Sequence, residues 1–79
     1  TINFYKCGLK DGDKLVCTED SKLVVVIKGE RKVLYNNELT SLTAIMKKVK
    51  GYSNNFGASF FTYKGELLTD IAERTQWKN

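Results

Sequence analysis

The amino-acid sequence predicts an α+β fold, in which a small antiparallel β-meander of three to four strands packs on one main α-helix. Two segments rich in β-branched residues, 14–18 and 22–28, are joined by a connection of hairpin length. Further along, apolar residues recur at spacings of three and four over 42–49, which indicates an amphipathic helix. A short N-terminal turn or helix precedes the meander, the C-terminal segment is either a second helix or a loosely packed tail, and the length predicts a single domain, 1–79.

The N-terminal third predicts a helical turn followed by the meander. Apolar residues in INFYKCGL have mixed spacing, which is compatible with one short helical turn. Gly12 then lies between two aspartates, a composition typical of a tight turn. Strands are predicted at 14–18, 22–28 and 32–36, and the longest apolar run, LVVVI, belongs to the second of them.

The main helix has signals at both of its ends. Thr40 or Ser41 can cap its N-terminus with a hydroxyl, and Gly51 is suited to end it in a left-handed conformation. The segment 36–38 before it reads as a turn. The predicted apolar stripe consists of Leu42, Ile45, Met46 and Val49.

The C-terminal third predicts a loop of small and amide side chains at 53–59 and a strand at 60–63. A turn at 64–66 follows, and then a segment whose apolar residues keep helical spacing. That last segment is either a short helix or a loosely packed tail.

Cysteine usage and hydropathy indicate a reducing, cytoplasmic setting. The two cysteines, Cys7 and Cys17, are too few for a disulfide framework, and we expect them to be small buried hydrophobes, with a 7–17 bridge as the alternative. No apolar run approaches the roughly 20 residues that span a bilayer, so no membrane association is expected.

The composition argues against catalysis and against metal or cofactor binding. Histidine is absent, which removes the commonest general base and the commonest metal ligand. The nine acidic residues occur mainly in turn-like segments such as DGD and TED, where solvated roles are usual. We therefore predict a non-enzymatic protein without catalytic residues, metal or cofactor.

Positive charge is concentrated in one segment of the chain. The net charge is +4, but residues 31–64 carry six cations against the single acid Glu38. This asymmetry favours an anionic partner. An ordinary lysine-rich surface is the alternative, because lysines just before Gly51 also suit the negative end of a helix dipole.

The order of several turn, cap and core residues resembles a known domain family. The features are GLKDGDKL at 8–15, VLYNNELTSLTAIMKKVKG at 33–51, an asparagine-bearing loop, and FFTYKGELLTDI at 60–71. Together they resemble RAMA-type (restriction-enzyme adenine-methylase-associated) small domains and similar uncharacterised domains attached to GIY-YIG nucleases. The tryptophan that those domains carry in the loop is replaced here by NNFGASFF.

The resemblance implies a DNA-binding module in restriction-modification or other DNA-processing systems, with DNA a better candidate than RNA and with a larger parent enzyme as its setting. Cations would contact phosphates, asparagine amides would bond base edges, and aromatic rings would stack on bases. The predicted nucleic-acid-binding residues are Arg31, Lys32, Lys47, Lys48, Lys50, Tyr52, Asn54, Asn55, Phe56 and Lys64. This interpretation requires the cations to converge on one surface beside the amide-bearing loop.

A different class of function is also compatible with the sequence. The LVVVI strand has no obvious charged or proline residue to block edge pairing. The alternative is therefore a protein-interaction or homo-oligomerising structural module that uses an exposed sheet edge.

Overall fold

An antiparallel sheet organises the chain in the computed structural model, which describes residues 2–75. Within these residues the strands are β1 Lys14–Cys17, β2 Asp20–Ile27, β3 Val33–Tyr35, β4 Glu38–Thr40, β5 Phe61–Tyr63 and β6 Glu66–Leu67. They form one sheet in the order β4-β3-β2-β1-β5-β6. The described helices are α1 Leu42–Lys50 and α2 Leu68–Arg74, with single 3₁₀ turns at Tyr5–Cys7 and Gly57–Phe60.

The predicted meander of three to four strands on one main helix is wrong, because the described residues form a six-stranded, sheet-rich fold with two short helices. The missed strands, β4 and β6, each follow a two-residue hairpin turn. Asn36 and Asn37 have φ of 53° and 62°, and Lys64 and Gly65 have φ of 52° and 86°. Two consecutive positive φ angles fold the chain straight back into an antiparallel neighbour. Glu38 and Glu66, predicted as turn residues, therefore begin strands.

The predicted ends of the main helix are confirmed. Ser41 is the N-cap, and its Oγ accepts a hydrogen bond from the Ala44 amide at 3.2 Å. Gly51 ends the helix with φ 76°. Val49, assigned to the apolar stripe, is instead 40% exposed, because α1 buries only the side that carries Leu42, Ile45 and Met46. Of the two alternatives for the C-terminal segment, the helix forms.

The hydrophobic core lies between one face of the sheet and the helices. Leu15 of β1, Val25 of β2 and Phe61 of β5 pack there with Met46 of α1 and Ile71 of α2. Both cysteines are buried in this core as free thiols, so the 7–17 bridge does not form. Burial raises the pKa of the Cys7 thiol.

The prediction that the LVVVI strand offers an exposed edge of the sheet is wrong. This strand, β2, pairs with β1 on one side and with β3 on the other, so its backbone groups are already engaged. The edges of the described sheet are β4 and β6, which have three and two residues. Such short edges offer little backbone for another chain to pair with.

Two aspartates accept hydrogen bonds around the N-terminal turn, and Asp11 also joins this turn to the β2–β3 connection. The Tyr5 hydroxyl donates to Asp11 Oδ1 at 2.6 Å, and the Gly29 amide donates to the same oxygen at 2.8 Å. The Lys10 amide donates to Asp13 Oδ2 at 3.0 Å. These donors favour the charged carboxylates, so the pKa values of Asp11 and Asp13 are lowered.

We expect acid to destabilise the fold through these two groups. A carboxyl whose pKa is lower in the folded state contributes stability that is complete above its unfolded pKa, about 3.9. That contribution is lost as the pH falls through the folded pKa. Urea unfolding over an acid pH series should therefore show a smaller pH dependence for Asp11→Asn than for the wild type. The same change at exposed Asp70 controls for net charge, and an equal effect of both variants would contradict the assignment.

Candidate nucleic-acid interface

Two adjoining concave surfaces lie on the helix-bearing side of the molecule. The first, the α1 groove, has a volume of about 640 Å³, and the second, the amide hollow, about 590 Å³. The α1 groove is lined by Ile2, Phe4, Arg31, Lys32, Ser41, Leu42, Thr43, Asn55, Phe56, Gly57 and Ala58. The amide hollow is lined by Gly51, Tyr52, Ser53, Asn54, Asn55, Phe56, Ser59 and Phe60. Asn55 and Phe56 line both.

A glycine brings the loop after α1 back onto the first turn of that helix. A Cβ atom at Gly57 would collide with the Thr43 amide nitrogen and would lie 2.6 Å from the Leu42 carbonyl carbon. The Gly57 amide donates to Thr43 Oγ1 at 3.2 Å. The backbone of the loop thus rests directly on α1, and this contact forms the floor of the α1 groove.

Asn55 fastens the same loop through its side chain. Its Nδ2 donates to the Thr43 carbonyl at 3.3 Å and to the Tyr52 carbonyl at 3.0 Å. Its Oδ1 is buried and has no hydrogen-bond partner within residues 2–75. With both amide hydrogens engaged, Asn55 is not free to pair with a base edge. Asn54, exposed in the same loop, is the asparagine that remains available.

Tyr52 is also held by the protein. Its ring lies 5.4 Å from that of Phe60, at an interplanar angle of 37°. Its hydroxyl donates to Glu19 Oε1 at 2.8 Å, and this bond raises the pKa of Tyr52. These contacts leave little freedom for Tyr52 to reorient toward a ligand.

Phe56 is the most exposed aromatic residue of the two surfaces, at 48%. Its carbonyl accepts from the Ser59 amide at 2.9 Å and from Ser59 Oγ at 2.7 Å. The backbone that carries the ring is therefore fixed while the ring itself faces solvent. This is the arrangement that a stacking platform requires.

Arg31 and Lys32 supply the positive charge of the α1 groove from the β2–β3 connection. Arg31 Nη1 lies 3.2 Å from Glu30 Oε1, while Glu30 Oε2 accepts from Asn3 Nδ2 at 3.0 Å. Because Glu30 is anchored to buried Asn3, it limits where Arg31 can go. It also offsets part of the arginine's charge, although both side chains remain exposed to solvent.

The remaining predicted cations lie elsewhere. Lys47, Lys48 and Lys50 are in the last turn of α1, about 7 to 12 Å along the helix axis from Leu42 at the groove end. Lys48 pairs with Glu38 at 3.6 Å. Lys64 lies in the β5–β6 turn, 5.4 Å from the centre of the Tyr63 ring, and lines neither concave surface.

The structure thus brings six of the ten predicted residues together. Arg31, Lys32, Tyr52, Asn54, Asn55 and Phe56 line the two surfaces, whereas the helix-end lysines adjoin the far end of the hollow and Lys64 lies apart. The single convergent cationic surface expected from the sequence is therefore replaced by two groups at opposite ends of α1.

Sequence reasoning missed the groove residues Ser41, Thr43 and Gly57 as part of the candidate site. The first was assigned only as a helix cap, and the other two contribute a hydroxyl and a bare backbone to the groove. A glycine inside a loop of small residues is a sign of close backbone approach, and this signal was present in NFGAS.

Residues 2–75 contain no group of three or more cysteine, aspartate or glutamate side chains placed to hold a metal ion. No helix in the same range is long and apolar enough to cross a bilayer. Neither a protein-family model nor a curated protein sequence matches the chain.

Proposed function

We propose that this chain is a non-enzymatic nucleic-acid-binding module and that the α1 groove and the amide hollow together form its contact surface. The observation that carries the proposal is the placement of exposed Phe56 between the cationic wall of the groove, Arg31 and Lys32, and the amide-bearing hollow. Cations, a free aromatic face and amides in one strip are the elements that single-strand binding surfaces combine.

In this arrangement a single strand runs along the strip. Two successive phosphates contact Arg31 and Lys32, and the adjoining base stacks on Phe56. The next base enters the hollow beside Asn54, and Lys47 and Lys50 neutralise the phosphates beyond it. One protruding ring between two hollows suits an unstacked base better than a duplex, whose bases are already stacked on one another.

The choice of DNA, and the link to restriction-modification or another DNA-processing enzyme, rest on the family resemblance alone. A reducing cytoplasm is the proposed location, because Cys7 and Cys17 are free thiols.

Fluorescence anisotropy with labelled single-stranded DNA, duplex DNA and RNA, each over a salt series, tests the proposal. Four phosphate contacts on a single strand give a log–log slope of about −2.8, so affinity should fall about 50-fold between about 50 and 200 mM salt. Strands with and without N6-methyladenine test for a methyl preference, because the domains that the chain resembles are associated with adenine methylases. Absence of binding at low salt, or an affinity that does not change with salt, would refute the proposal.

Removal of the exposed ring should weaken binding without unfolding the protein. Loss of one base–aromatic stack costs about 1 to 3 kcal/mol, so Phe56→Ala should raise the dissociation constant for single-stranded DNA about 5- to 150-fold. Phe56→Tyr keeps the ring and should bind like the wild type. Leu39→Ala, at another exposed apolar residue, controls for loss of apolar surface. If Phe56→Ala binds as tightly as Leu39→Ala, the ring is not a stacking platform.

A further inference from the structure

The face of the sheet that points away from α1 and α2, called here the open face, is unusually apolar. Along β1 and β2 the inner residues Leu15, Val25 and Ile27 are fully buried, so their sequence neighbours point the opposite way. Three of these neighbours are valines, and cross-strand pairing continues the row over all six described strands, with Thr62 as its one polar member. The row comprises Val16, Val24, Val26, Leu34, Leu39, Thr62 and Leu67.

Antiparallel sheets with one face toward water usually alternate apolar and polar residues. β2 does not, because Val24 and Val26 occupy the positions where polar residues are expected. Leu39 is 59% exposed and Val24 38% exposed, and no helix of residues 2–75 packs over them. The other residues of the row are half-buried, so the row forms a partly exposed apolar strip, a feature that favours an interaction surface.

Exposed lysines border the row, and the acidic Asp20 of β2 lies across from buried Cys17. Lys14 lies directly across from Val26, and Lys22 is exposed two residues before Val24, where the register between β1 and β2 shifts. The glutamates of the sheet are instead tied to the covered side. Glu19 accepts from Tyr52, while Glu38 pairs with Lys48 and Glu66 with Arg74. The open face is therefore an apolar row bordered by lysines.

We propose that the open face binds an amphipathic helix of another polypeptide segment, with an apolar stripe that covers the row and acidic residues that flank this stripe. A helix laid on the exposed face of a sheet completes a helix–sheet–helix layering, which is a common way to bury such a face. The lysines at the border of the open face favour acidic residues beside the apolar stripe of the helix.

Two other occupants fit this face less well. A second copy of the chain would bring Lys14 and Lys22 toward another lysine-bordered face, which is unfavourable. A membrane-binding surface usually presents aromatic residues at the interface, but Tyr35, Phe61 and Tyr63 of the strands pack on the covered side. An acidic helix satisfies both the shape and the charge of the open face.

This proposal concerns the side of the sheet opposite the α1 groove, so it stands or falls independently of nucleic-acid binding. It is tested by two-dimensional ¹H–¹⁵N NMR with two designed peptides of about 20 residues, a length that supports a helix. Both carry leucines at helical i, i+3, i+4 and i+7 spacing, one with glutamates beside the stripe and the other with lysines. We expect the glutamate peptide to shift the amides of Val16, Val24, Val26 and Leu34, and to bind at least about tenfold more tightly than the lysine peptide.

Variants then separate the apolar contribution from the charged one. Val24→Thr/Leu39→Thr keeps strand propensity at two exposed positions and should weaken binding of the glutamate peptide about tenfold. Lys14→Glu/Lys22→Glu should reverse the preference between the peptides. Lys47→Glu/Lys50→Glu makes the same change in net charge on α1 and should leave the preference between the two peptides unchanged.

Several results would overturn the proposal. They are equal affinity for both peptides, no binding of the glutamate peptide, or shifts confined to α1 and its neighbouring loop. Concentration-dependent dimerisation that Val24→Thr/Leu39→Thr abolishes would assign the face to a second copy. Tighter binding to vesicles of anionic phospholipid than to the glutamate peptide would assign it to a membrane surface.

Discussion

Replacement of Gly57 by alanine is expected to lower the free energy of unfolding by about 2 to 3 kcal/mol, the upper range for overpacking a well-packed site. The added methyl group would collide with the Thr43 amide nitrogen and lie 2.6 Å from the Leu42 carbonyl carbon. These are backbone atoms in the first turn of α1, and they cannot move aside as a flexible side chain can. Either the loop lifts from the helix or the helix shifts from the sheet.

The loss is large for a chain of this size. Small domains have unfolding free energies of about 0.05 to 0.15 kcal/mol per residue, which gives about 4 to 12 kcal/mol for 79 residues. If the loop lifts, the hydrogen bonds from Gly57 and Asn55 to Thr43 break as well. Urea unfolding monitored by circular dichroism measures the stability, and amide shifts at Thr43 report whether the loop has moved.

A second glycine provides the matched control. Gly65 has φ 86° and open space around the position of a Cβ atom, so Gly65→Ala introduces backbone strain without a collision. That strain should cost about 1 kcal/mol. If Gly57→Ala destabilises the protein no more than Gly65→Ala does, the close approach of the loop to α1 does not contribute to stability as proposed.

The parts of the fold that the sequence predicted are those with local signals. Ser41 and Gly51 mark the ends of α1 through their own backbone and side-chain chemistry, and the β-branched runs mark β1, β2 and β3. β4 and β6, with three and two residues, are too short to show a period of two. The only sequence signals for β4 and β6 lie in the turns that precede them. At Asn36 and Asn37 the sequence is equally compatible with a turn that leads directly into the helix.

The sequence predicted which residues line the candidate site better than it predicted what each of them does. An asparagine in a polar loop can read a base or fasten the loop, and only the positions of the Thr43 and Tyr52 carbonyls show that Asn55 does the second. The placement of the cations also depends on tertiary contacts. Arg31 and Lys32 reach the start of α1 because the β2–β3 connection folds beside it, and no local pattern encodes that contact.

Charge reversal at the groove, Arg31→Glu/Lys32→Glu, is expected to weaken binding of single-stranded DNA about 100-fold at low salt. Two attractive phosphate contacts become repulsive, and like charges facing each other across an interface cost several kcal/mol. The slope of log affinity against log salt should also become shallower by about 1.4, because each phosphate contact contributes about 0.7 on a single strand.

The fold should survive this change. Arg31 pairs with Glu30 at the surface, and exposed pairs of this kind contribute little to stability. The bond from Asn3 to the other oxygen of Glu30, which anchors the N-terminal segment, does not involve either replaced residue. Thermal unfolding of the variant should therefore stay close to that of the wild type, so that a loss of affinity reports on the groove.

The control is Lys14→Glu/Lys22→Glu, which makes the same change in net charge at two exposed lysines of β1 and β2 that line neither concave surface. If DNA binding depends on the local field of the α1 groove, this control should lose affinity only slightly. Equal losses in the two variants would mean that overall charge, and no particular surface, attracts the nucleic acid. Retained binding by Arg31→Glu/Lys32→Glu would exclude the groove and leave Lys47 and Lys50, at the other end of α1, as the cations to test next.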